Sequence, residues 1–146
     1  MVLTARSLRV DANVGALAEV RTFIRSAAAD AGAPAECLED LVQAVDEAAT
    51  NTIVHGYDGA PGWIEVGAGL EDGRFVIRMQ DAAPEFDPTS VPEPDMSVSP
   101  MDRRPGGMGV HLMRACTDTM SYRPRPGGGN ILTLVRLTGP DWTKEG

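Results

Sequence analysis

Two apolar stripes of helical period follow one another before any hairpin occurs, and this grouping constrains the fold more than any other feature. Val14, Leu17, Ala18, Val20, Ile24 and Ala28 recur at spacings of three and four, which places them on one helical face. Asp11 or Asn13 can cap this helix, and it ends near Gly32. Pro34 stands at the opening of a second helix, where its missing N–H is no loss. Leu38, Leu41, Val42, Val45, Ala48, Ala49 and Ile53 carry an apolar stripe along about 35–55, which the cluster Gly56, Asp58, Gly59, Pro61, Gly62 stops. Strand-like runs at about 63–70 and 74–80 then flank Glu71-Asp72-Gly73, whose Asp-Gly is a hairpin signal. A half-buried strand at about 2–10, a helix at about 110–119 and two closing strands at about 119–124 and 130–137 complete the pattern. The order β-α-α-β-β-loop-α-β-β predicts an α+β fold, a two-layer sandwich whose mixed, mostly antiparallel sheet is covered on one face by helices. A Rossmann or P-loop arrangement is disfavoured, and no G-x-x-x-x-G-K-[ST] occurs.

The length of 146 residues is that of one ordinary domain, expected to span 1–146 with an ordered core at about 2–137. Thirteen Lys+Arg against 21 Asp+Glu give a net charge of −8. Affinity for nucleic acid rests on basic residues that neutralise phosphates, so direct nucleic-acid binding is disfavoured, as is a polybasic membrane anchor. No apolar run is long enough to cross a membrane, and the first ten residues alternate rather than forming a signal peptide's apolar block. Cys37 and Cys116 are far apart, with no CxxC; they read as reduced core cysteines of a cytoplasmic protein. The stretch 81–109 is rich in Pro, acids and Gly and has little periodicity, which is long for a mere connection and points to a functional or mobile segment.

Three constellations carry chemistry. Glu47 and Asn51 sit at i and i+4, with His55 four residues further, so they project from one helical face. A carboxylate and an amide so placed can orient a hydroxyl and hold a hard cation through oxygen; the same spacing also occurs on solvated faces. Gly106, Gly107 and Gly109 precede a helix, where backbone N–H groups and the helix N-terminus form an anion site, unless the glycines serve only a flexible turn. Arg103 and Arg104 just before them can neutralise phosphate or be solvated. Asp81, at a strand end before Ala82-Ala83-Pro84-Glu85-Phe86-Asp87-Pro88, can accept a hydrogen bond from a ligand amine or simply form a turn.

Taken in order, these segments resemble the Bergerat (GHKL) histidine kinase-like ATPases, and more narrowly the anti-sigma-factor serine kinases of the RsbW and SpoIIAB type. Glu47-Ala-Ala-Thr-Asn51 with Ile53-Val-His-Gly-Tyr57 resembles their N-box. Asp81 through Pro88 resembles D-x-G-x-x-F-D-P, Gly106 through Met113 resembles the G-x-G-L-x-L-M box, and Asn130-Ile-Leu-Thr-Leu134 resembles the late G-N-x-L-T-L strand. The resemblance covers about residues 5–137. It implies Glu47 as general base, Asn51 as Mg²⁺ ligand, and Asp81 as acceptor for the adenine amine. It further implies an ATP pocket and lid that include Ala83, Phe86, Arg104, Gly106, Gly107, Met108, Gly109, Val110, His111 and Leu112, with Thr133 near the adenine. ATP and Mg²⁺ are the implied cofactors. The implied partners are a STAS-type anti-sigma factor antagonist, as phosphoacceptor, and a sigma factor or similar regulator. A homodimer through the first strand and first helix is implied as well.

One position departs from the pattern. The glycine two residues after the pocket aspartate is Ala83 here, where a Cβ would crowd the ring or sit at positive φ at some cost. That favours a second reading, a non-catalytic partner-sequestering module with a degenerate nucleotide pocket, while the Glu47 carboxylate favours the kinase.

Overall fold

A computed structural model describes residues 6–92, 97, 99 and 107–142. Five strands, β1 (Arg6–Asp11), β2 (Trp63–Glu71), β3 (Arg74–Asp81), β4 (Thr119–Pro124) and β5 (Asn130–Leu137), form one sheet in the order β1-β2-β3-β5-β4. Each of the four pairings is antiparallel, so the parallel component of the expected mixed sheet is absent from it. Three helices, α1 (Leu17–Asp30), α2 (Ala35–Thr50) and α3 (Gly107–Cys116), complete the elements that shape the core.

The helices form because their apolar residues line up. Val20, Ile24, Ala27 and Ala28 are the buried positions of α1, and Leu41, Val42, Ala44, Val45, Ala48 and Ala49 those of α2. They pack against Ile64, Val66 and Ala68 of β2, Phe75, Ile77 and Met79 of β3, and Leu132 and Leu134 of β5 in one cluster. Asn13 caps the 3-10 turn ahead of α1, its side-chain oxygen accepting from the Ala16 N–H at 3.1 Å. Pro34, extended at ψ 153°, is the N-cap of α2 rather than its first helical residue. Arg21 ties the two helices together through Asp46 at 2.7 Å. The β2–β3 hairpin turns on Asp72 and Gly73, both at positive φ (48° and 78°), as a two-residue turn between right-twisting strands requires.

Two boundaries differ from the sequence reading, and both shape the site. The second helix does not run as α-helix to His55; after Thr50 it widens into a π-helical segment, Asn51–Tyr57, closed by Asp58 at φ 50°. Tyr57 holds this segment to the sheet: its hydroxyl donates to the Trp63 carbonyl at 2.8 Å and accepts the Ala82 N–H at 2.8 Å. The last helix begins at Gly107, not near Val110, so Gly107 to Gly109 form its first turn.

Candidate functional site

Between α2, its π-helical continuation and the strand ends of β3 and β5 lies a cavity of about 480 Å³, within the range of small-molecule sites. Ala48, Asn51, Thr52, His55 and Gly56 form one wall; Met79, Met113, Leu132 and Val91 supply apolar surface; Asp81, Ala83, Phe86, Tyr122 and Asn130 close the far end. The π-helical segment explains that wall, because its wider turn brings Thr52 and Gly56 onto the face that carries Asn51 and His55. π-Helical segments of this kind recur at functional sites.

Asp81 is 5% exposed and is the polar centre of the far end. Its Oδ1 accepts the Ala83 N–H at 3.0 Å and the Asn130 Nδ2 at 2.8 Å, while among the described residues Oδ2 accepts just the Thr52 hydroxyl at 3.3 Å. Burial pushes its carboxyl above the ordinary carboxylate value; the hydrogen bonds from Asn130, the Ala83 backbone and Thr52, and the charge of Arg125, pull the other way. Asn130 is the hub beneath it. Its Nδ2 also donates to the carbonyls of Ala83 and Pro84 at 3.3 and 3.2 Å, and its Oδ1 accepts the Phe86 N–H at 2.9 Å and the Tyr122 hydroxyl at 2.7 Å. Gly129, at φ 118°, runs so close under the Asp81–Ala82 backbone that any Cβ would collide with the Asp81 carbonyl. Arg114 of α3 reaches over to the carbonyls of Thr89 and Val91 at 3.1 and 2.7 Å, fixing the loop that forms the cavity's outer rim.

Beside the cavity, next to Asn51 of its wall, lies Gly109. A Cβ built there would lie 3.0 Å from Glu47 Oε1 and 3.7 Å from both amide atoms of Asn51. The absence of a side chain therefore lets the first turn of α3, with N–H groups that have no intrahelical acceptor, settle on the carboxylate and the amide. Glu47 itself stands one turn before Asn51, beside the cavity rather than in its wall.

Residues 10–136 match the histidine kinase-like ATPase domain family. The chain belongs to that family. Among similar proteins is the anti-sigma F factor of Thermoanaerobacter sp. (strain X514), 26% identical over 121 residues that cover 83% of this chain and 85% of the relative. The serine/threonine-protein kinase BtrW of Bordetella bronchiseptica is 31% identical over 102 residues, 69% of this chain and 71% of the relative. The fold is shared with a solved protein of Mycobacterium tuberculosis that carries RsbU and RsbW domains, at a TM-score of 0.64 and 22% identity; the match covers 91% of this chain and 31% of that one.

Seen as a histidine kinase-like ATPase domain, the chain handles its departure at Ala83 without strain. Ala83 is 2% exposed and is not among the residues at positive φ. Its Cβ points at Gly56, where a second Cβ would come within 3.0 Å. The Ala83 methyl is thus housed by a glycine on the facing helical segment.

Of the other residues anticipated from sequence, Asn51, Asp81, Ala83 and Phe86 line the cavity. Val110 is 1% exposed and packs into the core instead, and the neighbouring Met113 takes the cavity position. His111 and Leu112 are half-buried and lie outside the cavity wall. Gly107 and Met108 belong to the first turn of α3, and Arg104 and Gly106 lie outside the described residues. Thr133 does not line the cavity. It pairs with Arg78 on the sheet face away from the helices, and Leu132 and Asn130 are the β5 residues that face the cavity. Tyr122 and Thr52 line the cavity from outside the motifs, and Asn130, the asparagine of the late G-N-x-L-T-L strand, lines it without a role that the resemblance implies.

Proposed function

We propose that this ATPase domain is a serine/threonine protein kinase of a partner-switching system, which phosphorylates an anti-sigma factor antagonist of the STAS type and otherwise binds a sigma factor or similar regulator. With ATP and such partners, its place is the cytoplasm. Its relatives include an anti-sigma F factor and a serine/threonine-protein kinase. The single observation that carries the reading is the seat of Gly109 on Glu47 and Asn51, which brings a carboxylate, an amide and the first turn of α3 together beside a cavity lined by Asn51 and Asp81.

In this reading Asp81 Oδ2 accepts a hydrogen bond from the adenine amine, and the first turn of α3 meets the phosphates. Glu47 takes the proton of the acceptor hydroxyl as its oxygen attacks the terminal phosphoryl group, and the bond to the bridging oxygen of ADP breaks. Among the described residues no group of three or more His, Cys, Asp or Glu could hold a metal. The donor set fits Mg²⁺ all the same, since this ion is ordinarily held by one or two protein oxygens with phosphates and water; Asn51 supplies that oxygen and Glu47 lies beside it. Bound there, the ion would neutralise triphosphate charge.

The test is transfer from radiolabelled ATP to a cognate antagonist. Glu47→Gln preserves size and helix propensity but removes the proton acceptor, so transfer falls about 10²–10⁴-fold with ATP affinity little changed. Asn51→Ala weakens both. Undiminished transfer in Glu47→Gln would remove the assigned base. The close fit of the Ala83 methyl against Gly56 supports the kinase over the non-catalytic module that Ala83 otherwise favours.

A further inference from the structure

We infer that Asn130 and Tyr122 are positioning residues that set base specificity by locking the rotation of the Asp81 carboxylate, an inference that rests on the nucleotide-binding reading above. The Asn130 amide has one possible orientation. Its Oδ1 receives two donors, the Phe86 N–H at 2.9 Å and the Tyr122 hydroxyl at 2.7 Å, and its Nδ2 faces three acceptors, Asp81 Oδ1 at 2.8 Å and the carbonyls of Ala83 and Pro84. A flipped amide would set N–H against N–H and oxygen against oxygen. The fixed Nδ2 and the Ala83 N–H together engage Asp81 Oδ1. Oδ2, which among the described residues accepts just the Thr52 hydroxyl at 3.3 Å, keeps accepting capacity on a residue that lines the cavity.

A carboxylate held at one rotation reads one position of a purine edge. Adenine offers an amino donor at C6 and an acceptor at N1. Hypoxanthine reverses both, with an oxo acceptor at C6 and an N–H at N1. A freely turning carboxylate would satisfy either base by reaching for whichever donor is present. An oxygen pinned from behind accepts the C6 amine and meets the C6 oxo group as an acceptor facing an acceptor, which buried sites discriminate strongly. Tyr122 secures the chain from outside: it lines the cavity, and its hydroxyl is the outermost donor to the Asn130 oxygen. Asn130 is 9% exposed, so little solvent competes for these bonds.

The experiment titrates the full chain with ATP and, separately, inosine triphosphate, each with Mg²⁺, in wild type, Tyr122→Phe and Asn130→Ala. Wild type should bind ATP at least tenfold more tightly than inosine triphosphate. Tyr122→Phe keeps the ring and removes the hydroxyl; the ratio should fall about three- to tenfold as the Asp81 carboxylate regains rotation. Asn130→Ala should abolish the preference; if that variant does not fold, Tyr122→Phe decides alone. Equal weakening of both nucleotides, or an unchanged ratio in Tyr122→Phe, would overturn the positioning role and leave nucleotide binding standing. A wild type that binds neither nucleotide would reject the nucleotide-binding reading and this inference together.

Discussion

Exchanging the methyl between positions 56 and 83 probes how this chain departs from its family. Gly56→Ala places a Cβ 3.0 Å from the Ala83 Cβ, well inside the roughly 3.5–4.0 Å at which carbon atoms attract. Neither atom can swing away, since each is attached directly to backbone: Gly56 in the π-helical segment, Ala83 in the turn tied by its N–H and carbonyl to Asp81 and Asn130. Overpacking of this kind costs about 1–3 kcal/mol, against which replacing a glycine returns about 0.5–1 kcal/mol, for a net loss of up to about 2.5 kcal/mol. Ala83→Gly alone loses a buried methyl, about 0.8 kcal/mol, plus the extra freedom of glycine, again about 1–2 kcal/mol in total. The double variant moves the methyl from one side of the contact to the other. It should lie within about 1 kcal/mol of wild type, a coupling of about 1–3 kcal/mol in its favour. Urea denaturation followed by circular dichroism reads all four proteins, with the midpoint shifting and the slope unchanged. Losses that simply add, to within about 0.5 kcal/mol, would refute the claim that Gly56 exists to house Ala83.

The buried Asp81 predicts a conflict between stability and binding. Its folded-state pKa is raised above the ordinary 3.8, mainly by burial, so the native state holds its proton to higher pH than the unfolded chain does, and stability falls as pH rises from the unfolded value through the folded one. Asp81→Asn should therefore be more stable than wild type at pH 7 in thermal melts, the gain vanishing below about pH 4, while ATP binding is lost; equal melting temperatures at pH 7 would argue against a strained carboxylate. Among the described residues β1, Arg6–Asp11, is an edge strand, and the homodimer that the resemblance implies through it predicts a light-scattering mass near twice 15.5 kDa at tens of micromolar. A monomer mass at that concentration would reject the dimer.

Much of this architecture is written locally. The Asp72-Gly73 turn, the Gly32–Pro34 break between helices and the Glu47–Asn51 spacing each act over a few residues, and each can be read as such. The site's far end cannot. In β5 both alternating sets are apolar, Ile131 and Val135 on one face and Leu132 and Leu134 on the other. The period of two then gives no sign of which face meets the helices, nor that Thr133 lies on the other one. Asn130 becomes visible as a hub only when β5 is laid beside β3, which pairs it with Asp81 across 49 residues of chain. The early start of α3 is similarly hidden. Glycine disfavours helix, so Gly107 and Gly109 suggest loop, whereas close packing on Glu47 and Asn51 overrides that preference. Nothing in the amphipathic stripe of α2 marks its passage into a π-helical turn, because Ile53 is buried in the core cluster and keeps the stripe intact.

The claim on which the account rests is that the cavity between α2 and the β3–β5 strand ends takes an adenine nucleotide with Mg²⁺. Isothermal titration of the full chain with millimolar ATP and Mg²⁺, repeated on Asp81→Asn, tests it directly. One ATP per chain should bind to wild type with measurable heat and a raised melting temperature, and the folded Asp81→Asn variant should bind none. No heat and no thermal shift in wild type, or unchanged ATP binding in Asp81→Asn, would contradict it.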